Sequence, residues 1–429
     1  MKRVLIVAPH FPPSNLAAVH RTRLFSQHLP AFGWEPVVLT VHHDYYEERL
    51  DWNLAKLVPE GLRVEQVKAM PVPPVRVVGD IGIRGFRQML RRALQLIDEE
   101  QIDFLYIPIP SFYAAMLGPI VYKLRGTPYG IDYIDPWVHE WPGADQLFSR
   151  HWLSSHLADA LEPLAVRHAS LITGVARGYY EDVLERNPHL QHTAVTASMP
   201  YGGEAEDHRR AHDLDAPLYV FDKEPGTFQF LYAGALLPLA FEPLHRVFQA
   251  ISENLSLFES VRFHFVGTGT SPNDPKGYKV RPVAEQYGLW GSVVTEHPAR
   301  IPYLDVLTHL DAADAVFILG STEPHYTPSK VYQGVLSEKP IFAILHEAST
   351  ACAVLRSTGA GKVISFDGEA ELGKIGHAFV PTFTEFQHFA EGFDPGHVDQ
   401  AQFETYSARS VTQILAEALD EALERSRTS

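Results

Sequence analysis

Ser321-Thr-Glu-Pro-His-Tyr-Thr-Pro-Ser-Lys-Val-Tyr-Gln-Gly-Val-Leu-Ser-Glu-Lys-Pro340 follows directly on the apolar run Asp314-Ala-Val-Phe-Ile-Leu-Gly320. The run reads as a strand buried on both faces, the kind a parallel sheet uses. Thr327 is placed to cap the helix that follows, with Pro328 at its first position. Ser329 and Lys330 then offer free backbone N–H groups, and Lys330 adds a cation. A strand feeding a helix start beside a lysine is a place to hold a phosphate.

The same rhythm runs through the chain. Strand patterns over Lys2–Ala8, Val37–Val41, Arg63–Val67, Asp103–Ile109, Tyr129–Ile134 and Ser170–Ala176 are separated by helical patterns such as Leu16–Leu29 and Arg84–Glu100. The polar stretch 204–227 interrupts them. Strands resume at Phe228–Gly234, Val261–Gly267, Val293–His297, Asp314–Gly320, Pro340–Leu345 and Gly361–Phe366. Alternation of this kind predicts an α/β fold of two Rossmann-like doubly wound domains, with ligands at the carboxyl ends of the strands. Ser407–Glu424 closes the chain as an amphipathic helix, with Val411, Ile414, Leu415, Leu419 and Leu423 on its apolar stripe.

A chain of 429 residues exceeds what one compact core usually holds. The net charge of −16 argues against nucleic acid as a partner, since phosphate backbones need a basic face. The single cysteine, Cys352, fits a reducing compartment, and a cytoplasmic location is expected. No apolar run approaches the roughly twenty residues of a membrane span. Twenty-two histidines show no ligand-spaced motif, so no metal is expected. Dinucleotide binding fails for want of GxGxxG: the nearest string, Gly267-Thr-Gly-Thr-Ser-Pro272, lacks the third glycine, and no Walker lysine loop exists.

Taken in order, several segments resemble a GT-B glycosyltransferase of the family 4 type. They are Phe11-Pro-Pro13 with Arg21, Phe32-Gly-Trp-Glu-Pro36, Asp132-Tyr-Ile-Asp-Pro-Trp137, Pro200-Tyr-Gly-Gly203, Tyr232-Ala-Gly234, Val266-Gly-Thr-Gly269 and the Thr327–Gly334 element. The resemblance implies two Rossmann-like domains facing a central cleft: an acceptor domain at 1–203, a linker at 204–227, a nucleotide-sugar domain at 228–404, and a helix at 405–429 crossing back to the first domain. It implies transfer of a sugar from a nucleoside diphosphate donor to a glycan, lipid-linked or small-molecule acceptor, with retention of configuration and no divalent metal or other cofactor. Asp213-Leu-Asp215 matches the DxD of metal-dependent transferases in letters only.

By position, the resemblance assigns Gly234, Gly267, Gly269, Arg300, His325, Thr327, Ser329, Lys330 and Gln333 to the donor. Asn15, Arg21, Asp132 and Trp137 go to the acceptor, Glu140 and Trp141 to the same mouth, and Asp135, Glu323 and Lys330 to catalysis. The chain departs from the family where an arginine and a lysine normally grip the diphosphate, since Ala235 and Ala240 stand there. The paired glutamates fall on His325 and Gln333, the usual histidine on Ile134, and the glycine pair on Asn15-Leu16. Two readings follow: an active enzyme in which Lys330 carries the missing charge, or a degenerate binding subunit that partners an active transferase. The basic run Arg84–Arg92 reads either as a solvated helix face or as a weak peripheral contact with an anionic membrane face.

Overall fold

The computed structural model describes residues 1–72, 79–138, 150–214, 216–269 and 273–428; Glu140, Trp141 and Asp215 lie outside them. The chain divides into two compact units, Met1–Pro200 with Ala408–Ser429, and Tyr201–Ser407.

Among the described residues, the first unit is built on seven strands: β1 (Lys2–Val7), β2 (Trp34–Val41), β3 (Arg63–Val67), β4 (Phe104–Ile109), β5 (Tyr129–Tyr133), β6 (Leu171–Gly174) and β7 (Val195–Ser198). Their order is β3-β2-β1-β4-β5-β6-β7. The second unit carries β8 (Phe228–Ala233), β9 (Val261–Val266), β10 (Val294–His297), β11 (Ala315–Leu319), β12 (Ile341–His346) and β13 (Gly361–Phe366), in the order β10-β9-β8-β11-β12-β13. Neighbouring strands in these orders pair in parallel, as in β1–β2 and β8–β9. Both sheets reverse direction beside their first strand, at β1/β4 and at β8/β11. Such switch points open a crevice at the strand ends, because the connections on either side leave toward opposite faces.

The central strands are buried over their whole length, as in Phe104–Ile109 and Ile341–His346. That explains their continuous apolar reading in the sequence. In the second unit the core is largely phenylalanine. Phe230 stacks on Phe263 at 4.6 Å and meets Phe317 edge-on at 6.4 Å, and Phe383 and Phe386 close the cluster from the helix Leu372–Glu391.

The final helix, Ala408–Thr428, buries Val411, Leu415, Leu419 and Leu423 in the core of the first unit, beside Phe25 and Trp34. Asp420 fixes its rotation: it pairs with Lys2 and accepts from Trp34 Nε1 at 2.7 Å. Two elements differ from the sequence reading. Strand β7 was not anticipated, because its four residues mix buried and exposed positions at a sheet edge. Residues Ala205–Leu214, expected within a linker, form a helix that buries Asp207, His208 and Ala211 in the second unit.

Candidate functional site

The second unit gathers the expected donor residues at the carboxyl ends of β8, β9, β10 and β11. Gly234 leaves β8 with φ +127°, a conformation that L side chains rarely adopt, and its N–H donates to Val266 O at 2.8 Å. Gly267 leaves β9 at φ +71°, with the Arg300 backbone against it. Gly269 has no room for a side chain: a Cβ there would lie 3.0 Å from Pro298 O. Glu296, at the end of β10, ties this rim together. It accepts from Thr268 Oγ1 and from the backbone N–H groups of Lys279 (2.9 Å), Val280 (3.1 Å) and Arg281 (2.8 Å).

Lys330 sits at the β8/β11 switch point, opening the helix Lys330–Leu336. Its stem keeps some exposure, but Nζ is shut off from solvent and has no hydrogen-bond partner among the described residues. The nitrogen lies 3.6 Å from the centroid of the Tyr232 ring and beside Gly234, where a Cβ would approach it to 3.4 Å. Burial without a counter-charge pushes its pKa down to about 7. The sequence places Lys330 as a cation at a helix start; the structure makes it a buried amine held on an aromatic face.

The helix start also differs in detail. Ser329, rather than Thr327, precedes the first helical residue, and it makes no side-chain cap. Thr327 Oγ1 is instead buried without a partner. The Val331 and Tyr332 amides are used in the turn by Pro328 O and Ser329 O, whereas no described carbonyl accepts from the amides of Ser329 or Lys330. Glu323 accepts from Ser321 Oγ at 3.0 Å. His325 is partly buried within the same segment. Gln333 is engaged from an unexpected direction: its Oε1 lies 2.9 Å from Nε2 of His208, on the helix that was expected to be linker. That leaves the Gln333 amide nitrogen for a ligand. Nothing in the local sequence around His208 signalled this contact.

Ala235 and Ala240 are not equivalent. Ala235 is exposed, whereas Ala240 is buried in the turn Pro238–Ala240, a position that has no opening for a surface cation.

In the first unit, two residues expected to touch an acceptor are consumed by each other. Arg21 and Asp132 are fully buried and joined through Nε–Oδ2 (2.6 Å) and Nη2–Oδ1 (2.9 Å). Arg21 Nη1 also donates to Met199 O and Pro200 O, and Thr173 Oγ1 donates to Asp132. The pair fixes β5 and the chain after β7, a structural role. Trp137 is likewise buried, stacked on Phe112 at 5.8 Å. Asp135 remains exposed past the end of β5, and Asn15 is half-buried near His20.

The basic run loses half its charge to internal contacts. Arg84 is buried, donating to Met70 O and Tyr45 O, and Arg92 pairs with Glu65 and Glu99; Arg87 and Arg91 stay exposed. His42, His43 and Asp44 come together past β2 with donor atoms within 4.8 Å of one another, a grouping the sequence reading set aside. The two rings stack at 4.1 Å rather than converging on a point. Among the described residues, no helix is long and apolar enough to cross a membrane.

Residues 17–198 match the glycosyl transferase 4-like domain family. No curated protein matches the sequence. Among solved structures, HepE of Anabaena in complex with UDP-glucose is similar at 15% identity, with a TM-score of 0.64, over 98% of this chain and 100% of that one. A glycosyltransferase of Rickettsia africae is similar at 11% identity and a TM-score of 0.60, over 99% of each chain. The E. coli trehalose-6-phosphate structure bound with UDP-2-fluoro glucose gives 10% identity and a TM-score of 0.61, over 98% of this chain and 99% of that one. The chain therefore has the GT-B fold, and its residues 17–198 match the model of glycosyl transferase 4-like domains.

Proposed function

We propose that the protein transfers a sugar from a nucleoside diphosphate donor to an acceptor in glycan or glycoconjugate synthesis, without a divalent metal. The observation that carries this reading is Lys330: a buried, unpartnered amine at the β8/β11 switch point, beside a glycine turn and two unengaged amides. A buried amine of this kind costs stability, and an incoming diphosphate relieves that cost by supplying the missing counter-charge. The same pairing stabilises the charge that develops on the leaving diphosphate, so the site serves the chemical step as well as binding. Glu323 is proposed to act on the transferred sugar, Asp135 on an acceptor hydroxyl, and Arg300 and Gln333 on the nucleoside. Retention of configuration comes from the family resemblance alone.

The competing reading, a binding subunit without catalysis, keeps its support from Ala235 and Ala240. Thermal-shift screening of UDP, GDP and dTDP, followed by calorimetry with the stabilising nucleotide, tests the site. Lys330→Ala is expected to weaken that nucleotide at least tenfold. Unchanged affinity would remove Lys330 from the site. Nucleotide binding without release of nucleoside diphosphate from any sugar donor would favour the binding subunit. Turnover in excess EDTA checks the independence from metal.

A further inference from the structure

The first unit has its own switch point, between β1 and β4, and the loop leaving β1 there is firmly pinned. Val41 N donates to Pro9 O at 3.2 Å and Asp51 N to Pro13 O at 2.7 Å. Phe11 N donates to the Tyr46 hydroxyl at 3.0 Å, and that hydroxyl also bonds Thr40. The loop holds up one side chain, His10. Its ring packs on Tyr46 with centroids 4.9 Å apart, and its Nδ1 lies 3.0 Å from Glu48 Oε1. Glu48 is held in turn by the Ser14 hydroxyl.

Burial works against charge on Glu48, but the hydrogen bonds and charge of His10 and the bond from Ser14 outweigh it, so its pKa falls to about 2. The Glu48 carboxylate beside Nδ1 holds the ring in one orientation and leaves Nε2 as the nitrogen open to a ligand. The His10 side chain is 20% exposed, and no described residue bonds its Nε2. An imidazole ring oriented by a carboxylate, with its second nitrogen open at a switch point, is a hydroxyl-binding arrangement.

The surroundings restrict what can bind. Asp80, which caps the helix Ile81–Arg84 by accepting from Ile83 N at 2.9 Å, couples electrostatically to His10, as does Glu48; Tyr113 faces Asp80 in turn. The nearby Arg84 guanidinium is buried and turned to Met70 O, Tyr45 O and Glu47. Glu48 and Asp80 make the surroundings of His10 acidic, which disfavours a phosphate or carboxylate on the incoming molecule.

We propose that His10 Nε2 hydrogen-bonds a hydroxyl of a neutral, polyhydroxylated sugar acceptor, and that Glu48 is the positioning residue that orients the ring. This rests on the glycosyltransferase reading and supplies its acceptor class. Neither residue was singled out from the sequence, because a lone histidine after a strand carries no spacing signal.

The test measures release of nucleoside diphosphate from the sugar donor of the nucleotide found to bind, with methyl glucoside and N-acetylglucosamine against glucose 6-phosphate and glucuronate. The neutral sugars are expected to stimulate release, and the anionic ones to do so at least tenfold less. His10→Asn keeps an amide beside Glu48 but removes the Nε2 position, and is expected to raise the acceptor KM at least tenfold. His10→Gln returns a polar atom to that position and is expected to recover part of the loss. Glu48→Gln raises KM several-fold. Nucleotide Kd stays unchanged in all three, while the melting temperature falls because each variant breaks the His10–Glu48 pair. Preference for the anionic acceptors, an acceptor KM in His10→Asn within twofold of wild type, or nucleotide binding with no response to any acceptor overturns the proposal alone. Failure of the wild-type chain to bind any nucleotide overturns the glycosyltransferase reading and this proposal with it.

Discussion

Replacing Lys330 by Met separates a buried functional amine from an ordinary packing residue. In the folded chain its pKa is lowered from 10.5 to about 7 by burial. The unfolded chain therefore binds more protons between those values, and stability rises with pH across the window. The stability that lysine forfeits is fully recovered only above about pH 10. At pH 7 the deficit, from about 3 units at ~1.4 kcal/mol each, is roughly 4 kcal/mol. Lys330→Met is expected to recover most of it, a rise of roughly 10 °C in the melting temperature at pH 7. The gain should shrink toward zero near pH 10, where the wild-type amine costs nothing. Nucleotide binding should move the other way. A diphosphate that restores the ordinary pKa takes up a proton on binding, so wild-type affinity for a nucleotide sugar falls by up to about tenfold per pH unit above 7. In Lys330→Met the affinity is at least tenfold weaker at pH 7 and flat with pH. Differential scanning and calorimetry from pH 6 to 10 provide both curves. A variant less stable than wild type at pH 7, or a wild-type affinity independent of pH, would refute the account of Lys330 as an amine waiting for an anion.

Arg21→Met should cost about 3–5 kcal/mol, because it strands Asp132 as a buried, unpaired carboxylate; denaturant melts measure this, and an effect confined to acceptor KM would restore the binding role expected from sequence. Glu296→Gln removes the charge that three backbone N–H groups share, and should loosen the Thr268 loop enough to weaken nucleotide binding while leaving the core intact; hydrogen exchange at residues 279–281 reports it directly. His264, stacked on Phe221 at 4.6 Å, has its pKa lowered to about 4 by burial first and by the Arg262 charge second. The unfolded chain protonates first, so stability present above about pH 6.5 is lost as pH falls toward 4, by roughly 3 kcal/mol. His264→Asn should flatten that acid limb in a pH series of denaturant melts.

The strand pattern was legible because parallel strands buried on both faces leave continuous apolar runs, as in Phe104–Ile109 and Ala315–Leu319. The short edge strand β7 and the helix Ala205–Leu214 were not, since one has little apolar surface and the other is polar by composition and anchored through His208 and Asp207. Donor residues could be placed at strand ends because Gly234, Gly267 and Lys330 follow recognisable runs. The role of Arg21 was misread for a physical reason: an arginine and an aspartate 111 residues apart give no local hint that they bury each other.

What the sequence determined by itself is the periodic order of the chain: two doubly wound units, with glycines and a lysine following strands of the second. Local patterning suffices there, because backbone hydrogen bonding and one-sided or two-sided burial act over a few residues. Tertiary structure alone decided which polar groups meet. It buried the Lys330 amine against Tyr232, closed Arg21 on Asp132, brought His208 to Gln333, and set Glu48 beside His10. Charge and exposure depend on neighbours distant in the chain, so the Ser321–Pro340 segment gains its meaning from Tyr232 and Gly234, almost a hundred residues earlier.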